Sequence, residues 1–110
     1  MNKFKLLFSL ALCAVLSHAQ AGQESGYRNL REYGCNKGYG ACFVYLEGAA
    51  VSGGPSCTSN LLRWNGDSEI NGKTWLALII AAKISGKKVN FYVNGCLDGY
   101  PTFEWGLIES

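Results

Sequence analysis

The chain has 110 residues, 48% of them hydrophobic, with ten basic and eight acidic side chains and a formal net charge of +2. That length bounds it to a single domain, and so small a surplus of charge leaves no electrostatic footprint for nucleic acid or for an anionic membrane surface. A single histidine, His18, makes most familiar hydrolytic and metal constellations scarce from the outset.

The chain opens with the basic stretch MNKFK, the apolar run LLFSLALCAVL and the small-x-small site Ala19-Gln20-Ala21 before Gly22. This is the pattern of a secretory signal peptide. The apolar run falls short of the roughly 20 residues that cross a bilayer, so no membrane span is expected. Leu12 precedes Cys13 where a lipoprotein signal has a small residue, which makes Cys13 part of the leader. The expectation is a signal peptide over 1–21, a single domain over 22–110, and a secreted or periplasmic protein.

Removing the leader takes away Lys3, Lys5 and His18. Eight basic residues (Arg28, Arg31, Lys37, Arg63, Lys73, Lys83, Lys87, Lys88) then face eight acidic ones, and the mature chain is close to neutral. Without histidine it has no imidazole base, no Cys-His pair and no histidine metal ligand. The sequence therefore reads as non-catalytic, with no cofactor and no metal.

In chain order, GQES reads as a ragged start and YRNLREY as a first strand. The segment CNKGYGAC then places Cys35 and Cys42 on either side of a glycine-containing turn. Four cysteines in an exported chain of this size point to disulfides, because so small a core is marginal without staples. A four-thiolate zinc site usually shows two close pairs, and Cys57 and Cys96 lie far apart. Bridging Cys35 to Cys42 across hairpin ends is geometrically easy, which leaves Cys57 for Cys96.

ACFVYLEGAA, residues 41–50, reads as a second strand from Phe43, Val44, Tyr45 and Leu46, and VSGGPS as a break. CTSNLLRW is the third strand. NGDSEING is a turn whose acids, Asp67 and Glu69, project into water rather than forming a catalytic pair. KTWLALIIAAKIS, residues 73–85, reads as a helix with Asn71 as its cap and Gly86 as its stop. Its apolar residues spread around most of the circumference, more than one barrel face covers, so Ile80 and Ile84 are candidate residues of an oligomer interface.

KKVNFYVNG and TFEWGLIES are the last two strands. Val89, Phe91 and Val93 share one face, Phe103, Trp105 and Leu107 another, and the two faces are expected to meet over one core. NGCLDGYP joins them as a loop in which Asn94, Asp98 and Tyr100 offer a ring for stacking beside groups that bond sugar hydroxyls. The order is three strands, a helix and two strands. The expected fold is mainly β with one helix: a small, disulfide-stabilised, five-stranded barrel of the OB-fold kind, with its helix between strands 3 and 4.

Arg63-Trp64, then GKTWLALIIAAKISGKKVNFYVNGC and the final YPTFEWGLI resemble small exported bacterial proteins related to the B subunits of subtilase and pertussis-like toxins. The resemblance covers roughly the second half of the mature chain. It implies a homo-oligomer, a pentamer in that family, that binds cell-surface glycans and accompanies an enzymatic A subunit. The family's glycan-contacting residues lie largely in the amino-terminal half, which shows no alignable motif. The alternative reading is an exported, disulfide-stabilised structural or protein-interaction module without glycan binding.

Overall fold

The computed structural model describes residues 22–110; the expected signal peptide, with Cys13 and His18, lies outside the described residues. Residues 22–110 form β1 (Gln23–Glu24), β2 (Leu30–Cys35), β3 (Ala41–Leu46), β4 (Val51–Gly54), β5 (Cys57–Ser59), β6 (Leu61–Asn65), the helix α1 (Gly72–Ser85), β7 (Val89–Leu97) and β8 (Tyr100–Ile108). The fold is mainly β with one helix, and two disulfides, Cys35–Cys42 and Cys57–Cys96, cross-link it.

The strands make three antiparallel sheets, β1-β7-β8, β2-β3-β6 and β4-β5. Among the described residues these ladders do not close into one hydrogen-bonded ring. The segment ahead of β2 reaches across to the other sheet: the Arg28 and Val89 backbones exchange two hydrogen bonds of 3.0 Å. β6 runs alongside β8 without a ladder between them.

The count of strands differs from the five expected, and the helix follows the sixth strand rather than the third. GQES is not ragged, because Glu24 pairs with Tyr92 and buried Ser25 accepts the Phe91 N–H at its hydroxyl. VSGGPS is not a simple break either. It supplies β4, which turns through Pro55 and Ser56 to pair with β5. The expected third strand is divided at Asn60, where the Ser59 hydroxyl accepts the Leu61 N–H at 3.0 Å. That bend lets β5 follow β4 while β6 follows β3.

The core lies between the two larger sheets and the helix. Val44, Leu46, Leu62, Trp64, Val89, Phe91 and Val93 project inward from the strands, and Ile79 and Ala82, three apart on one helical face, close it from above. Phe103 sits at the centre of an aromatic cluster, 4.6 Å from Phe91, 5.5 Å from Trp75 and 5.6 Å from Trp64 between ring centroids. Such tilted and edge-on pairs match the charge distribution of aromatic rings.

Local signals explain the helix ends only in part. Gly86 stops α1 in the left-handed conformation at φ 68°, and the Lys87 N–H returns to the Ala82 carbonyl at 3.0 Å. Asn71 precedes the helix, but its side chain makes no capping bond. The Trp64 indole ties the first turn to β6 by donating to the Gly72 carbonyl at 2.9 Å, a bond that anchors the helix without capping its free N–H groups.

Trp105 and Leu107 do not share the core face of Phe103. Val93 pairs with Phe103 while Tyr92, one residue earlier, pairs with Trp105, so β8 carries one extra residue, Glu104. A bulge of this kind reverses the alternation beyond it. Phe103 and Ile108 therefore reach the core, whereas Trp105 and Leu107 emerge on the outer face.

Candidate functional site

The turn between β7 and β8 is shorter than the sequence suggests. Both strands run into the expected loop, leaving Asp98 and Gly99 as a two-residue connection with φ of 52° and 82°. Two consecutive positive φ values are those of a type I′ hairpin, for which Asp-Gly is a preferred pair. The Cys57–Cys96 disulfide fastens this hairpin to β5, and Gly53 of β4 packs directly on the backbone of Gly95 and Pro101. The hairpin is thus fixed from two strands, β4 and β5.

Arg63 of β6 reaches this tip. Its guanidinium lies 5.2 Å from the centroid of the Tyr100 ring and 3.5 Å from the Asp98 carboxylate. Only 15% of the Arg63 side chain is exposed, against 59% for Asp98. A cation held over a ring and beside an acid loses little freedom when a ligand arrives.

The cluster continues along the outer face of β3. Arg63 is paired with Phe43, Phe43 meets Tyr45 edge-on at 6.4 Å, and Arg31 of β2 lies 5.0 Å from the Tyr45 centroid. The result is a stripe in the order Arg31, Tyr45, Phe43, Arg63, Tyr100, with Asp98 at its end. Period-2 alternation puts these residues on one face because Val44, Leu62 and Trp64, between them in sequence, point into the core.

The three residues expected around the loop do not form one cluster. Asp98 and Tyr100 are brought together by Arg63. Asn94 belongs to β7, where its amide donates to Glu104 at 2.8 Å, and no hydrogen bond joins it to Asp98 or Tyr100 among the described residues. On α1, Ile84 is 80% exposed, Ile80 is half-buried, and Ala77 and Ala81 are exposed beside them. Among the described residues this leaves an apolar helix face uncovered.

The acids of the β6–α1 turn are separated. Glu69 accepts the Asn65 N–H at 3.1 Å, while Asp67 lines a cleft of about 560 Å³ with Lys73, Leu76 and the Cys35–Cys42 disulfide. Among the described residues no group of three histidine, cysteine or acidic side chains is placed to hold a metal, and no helix is long and apolar enough to cross a membrane.

Arg31, Phe43, Tyr45 and Arg63 are the site residues that the sequence reading passed over. Phe43 and Tyr45 alternate with Val44 and Leu46 in one strand, a signal that could have placed them outward. Their alignment with Arg63 depends on register between strands. Comparison with protein-family models, with curated proteins and with solved structures finds no match to this chain.

Proposed function

We propose that this chain is an exported, non-catalytic binding module of the toxin B-subunit kind, with a cell-surface glycan as ligand and self-association through α1. The observation that carries the reading is the stripe ending at Tyr100. Aromatic faces stack on the C–H face of a sugar ring, and the arginine and aspartate between and beside them supply donors and acceptors for hydroxyls. The tip holding Tyr100 is fixed in advance, which limits the entropy lost on binding.

The barrel of the OB-fold kind belongs to the same proposal. The five longer strands are β2, β3, β6, β7 and β8, and α1 falls between the third and fourth of them. The Arg28–Val89 bridge and the course of β6 beside β8 are the two contacts along which such a barrel would close. The exposed helix face of Ala77, Ile80, Ala81 and Ile84 supports assembly into a ring, which in this reading is a pentamer serving an enzymatic A subunit. The same face favours the second reading, a protein-interaction module without glycan binding.

The experiment is a glycan array probed with the purified mature protein, followed by Tyr100→Ala and Arg63→Ala. The expected result is binding to a defined set of glycans that both substitutions weaken. A folded wild-type protein that binds no glycan leaves the protein-interaction reading.

A further inference from the structure

We infer that the outer face of the β7–β8 hairpin carries a second saccharide position, with a pyranose ring stacked on Trp105 and its hydroxyls held by Glu104 and Asn94. This rests on the glycan reading above and extends it to a separate subsite.

Trp105 stands opposite Tyr92 on the neighbouring strand, with ring centroids 5.5 Å apart and planes 16° from parallel. On either side of this stack an asparagine is tied to a carboxylate. Asn94 donates to Glu104 at 2.8 Å, and Asn90 donates to Glu24 at 2.8 Å. Each pair uses one carboxylate oxygen. Among the described residues the second Glu104 oxygen and the Asn94 carbonyl oxygen make no hydrogen bond, so both remain acceptors for hydroxyl donors beside the aromatic rings.

The bulge makes this arrangement more than a stabilising cross-strand pair. Without the extra residue at Glu104, β8 would keep its alternation and Trp105 would follow Phe103 into the core. The register shift instead turns the indole outward and sets Glu104 next to it. The core accommodates the change through Gly106, where Phe91 fills the space a side chain would take. Bulges commonly re-aim side chains near functional sites. Here the re-aimed side chain is a large aromatic ring, half-buried and braced by Tyr92.

Its position suits an extended ligand. Tyr100, Thr102 and Trp105 emerge on the outer side of one strand, while Pro101 and Phe103 are buried. Five residues of strand put Trp105 about 15 Å from Tyr100. One oligosaccharide can therefore meet the Arg63–Tyr100 end with one residue and Trp105 with another.

The test is nitrogen-15 NMR of the intact mature protein, following the three tryptophan indole signals during titration with methyl pyranosides of glucose, galactose, mannose and N-acetylglucosamine and with the strongest glycan from the array. The Trp105 signal should move, while those of Trp64 and Trp75, which belong to the core cluster, stay in place. Trp105→Ala and Glu104→Ala should each weaken glycan binding by about three- to tenfold, which is the scale of one stacking or charged contact. Trp105→Phe, which keeps a cross-strand ring, should retain most of the binding. Glu104 lies on the bulge, away from the core, so Glu104→Ala keeps the test valid if Trp105→Ala unfolds. An unmoved Trp105 signal, with Tyr100→Ala abolishing binding and Glu104→Ala leaving it unchanged, overturns the second position but spares the glycan reading. No binding of any sugar by the wild type overturns both.

Discussion

Trp64 and Gly72 are joined by a hydrogen bond from the indole N–H to the backbone carbonyl, 2.9 Å long and buried at both ends. It fastens the start of the only helix among the described residues to β6, at the edge of the β2-β3-β6 sheet, where the expected Asn71 side-chain cap is missing. Trp64→Phe keeps an aromatic ring but loses the hydrogen bond to the Gly72 carbonyl, which keeps its helical partner as the first residue of α1. The expected cost is about 0.5–1.5 kcal/mol for the lost bond, with a further loss for the missing ring volume. A lower urea midpoint at unchanged m-value is the measurement that checks it.

The two disulfides should contribute unequally. Cys57–Cys96 closes a separation of 39 residues and Cys35–Cys42 one of seven. In the chain-entropy account the first contributes about 4 kcal/mol and the second about 2.5. Replacing Cys57 and Cys96 together by serine should lower the melting temperature more than the same change at Cys35 and Cys42. The reverse order would show that the short staple acts through the folded state.

Gly53 and Gly99 are constrained for different reasons. An added methyl at Gly53 would collide with the Gly95 carbonyl oxygen and crowd the Pro101 backbone. Neither partner is a flexible side-chain end, so Gly53→Ala should cost several kcal/mol, about 3 or more, in the manner of an overpacked core. Gly99 has open space around it but φ of 82°. Gly99→Val should therefore cost about 1–2 kcal/mol through backbone strain alone. Chemical denaturation of both variants separates the two cases.

Ile84 is 80% exposed on the uncovered face of α1, so a charge there meets water if the chain is alone and an apolar neighbour if it assembles. Ile84→Glu should leave the melting temperature of a monomer within a few degrees but break an oligomer into its subunits. Sedimentation velocity of wild type and variant at micromolar concentration distinguishes these outcomes. A monomeric wild type refutes assembly through this face.

Arg63 connects β6 to the hairpin tip through Tyr100 and Asp98. Arg63→Lys keeps the charge but loses the planar group that covers the ring. Glycan affinity should fall by about three- to tenfold, and stability by about 1–2 kcal/mol, because the Arg63 side chain is largely buried and the cation–ring contact is stronger where water is excluded. A full loss of affinity on Asp98→Asn with Arg63→Lys neutral would instead place the recognition on the acid.

The sequence by itself determined part of the local structure, the strand from Phe43 and the helix stop among it. Phe43 to Leu46 favour the pleated conformation, Gly86 ends the helix because it adopts φ 68° without a side-chain clash, and Asp98-Gly99 fits a tight hairpin. These outcomes follow from the preferences of a few neighbouring residues. Tertiary structure decided what depends on register and distant partners. The one-residue excess at Glu104 appears only when β8 is set against β7, and it sends Trp105 outward where alternation alone would bury it. Gly53 reads as a loop residue until β7 and β8 are laid against it, when its lack of a side chain becomes the condition for strand packing. The stripe from Arg31 to Tyr100 likewise draws on four strands. No local pattern encodes it, because side chains far apart in sequence meet only after hydrogen-bonded pairing has fixed which residues stand opposite one another.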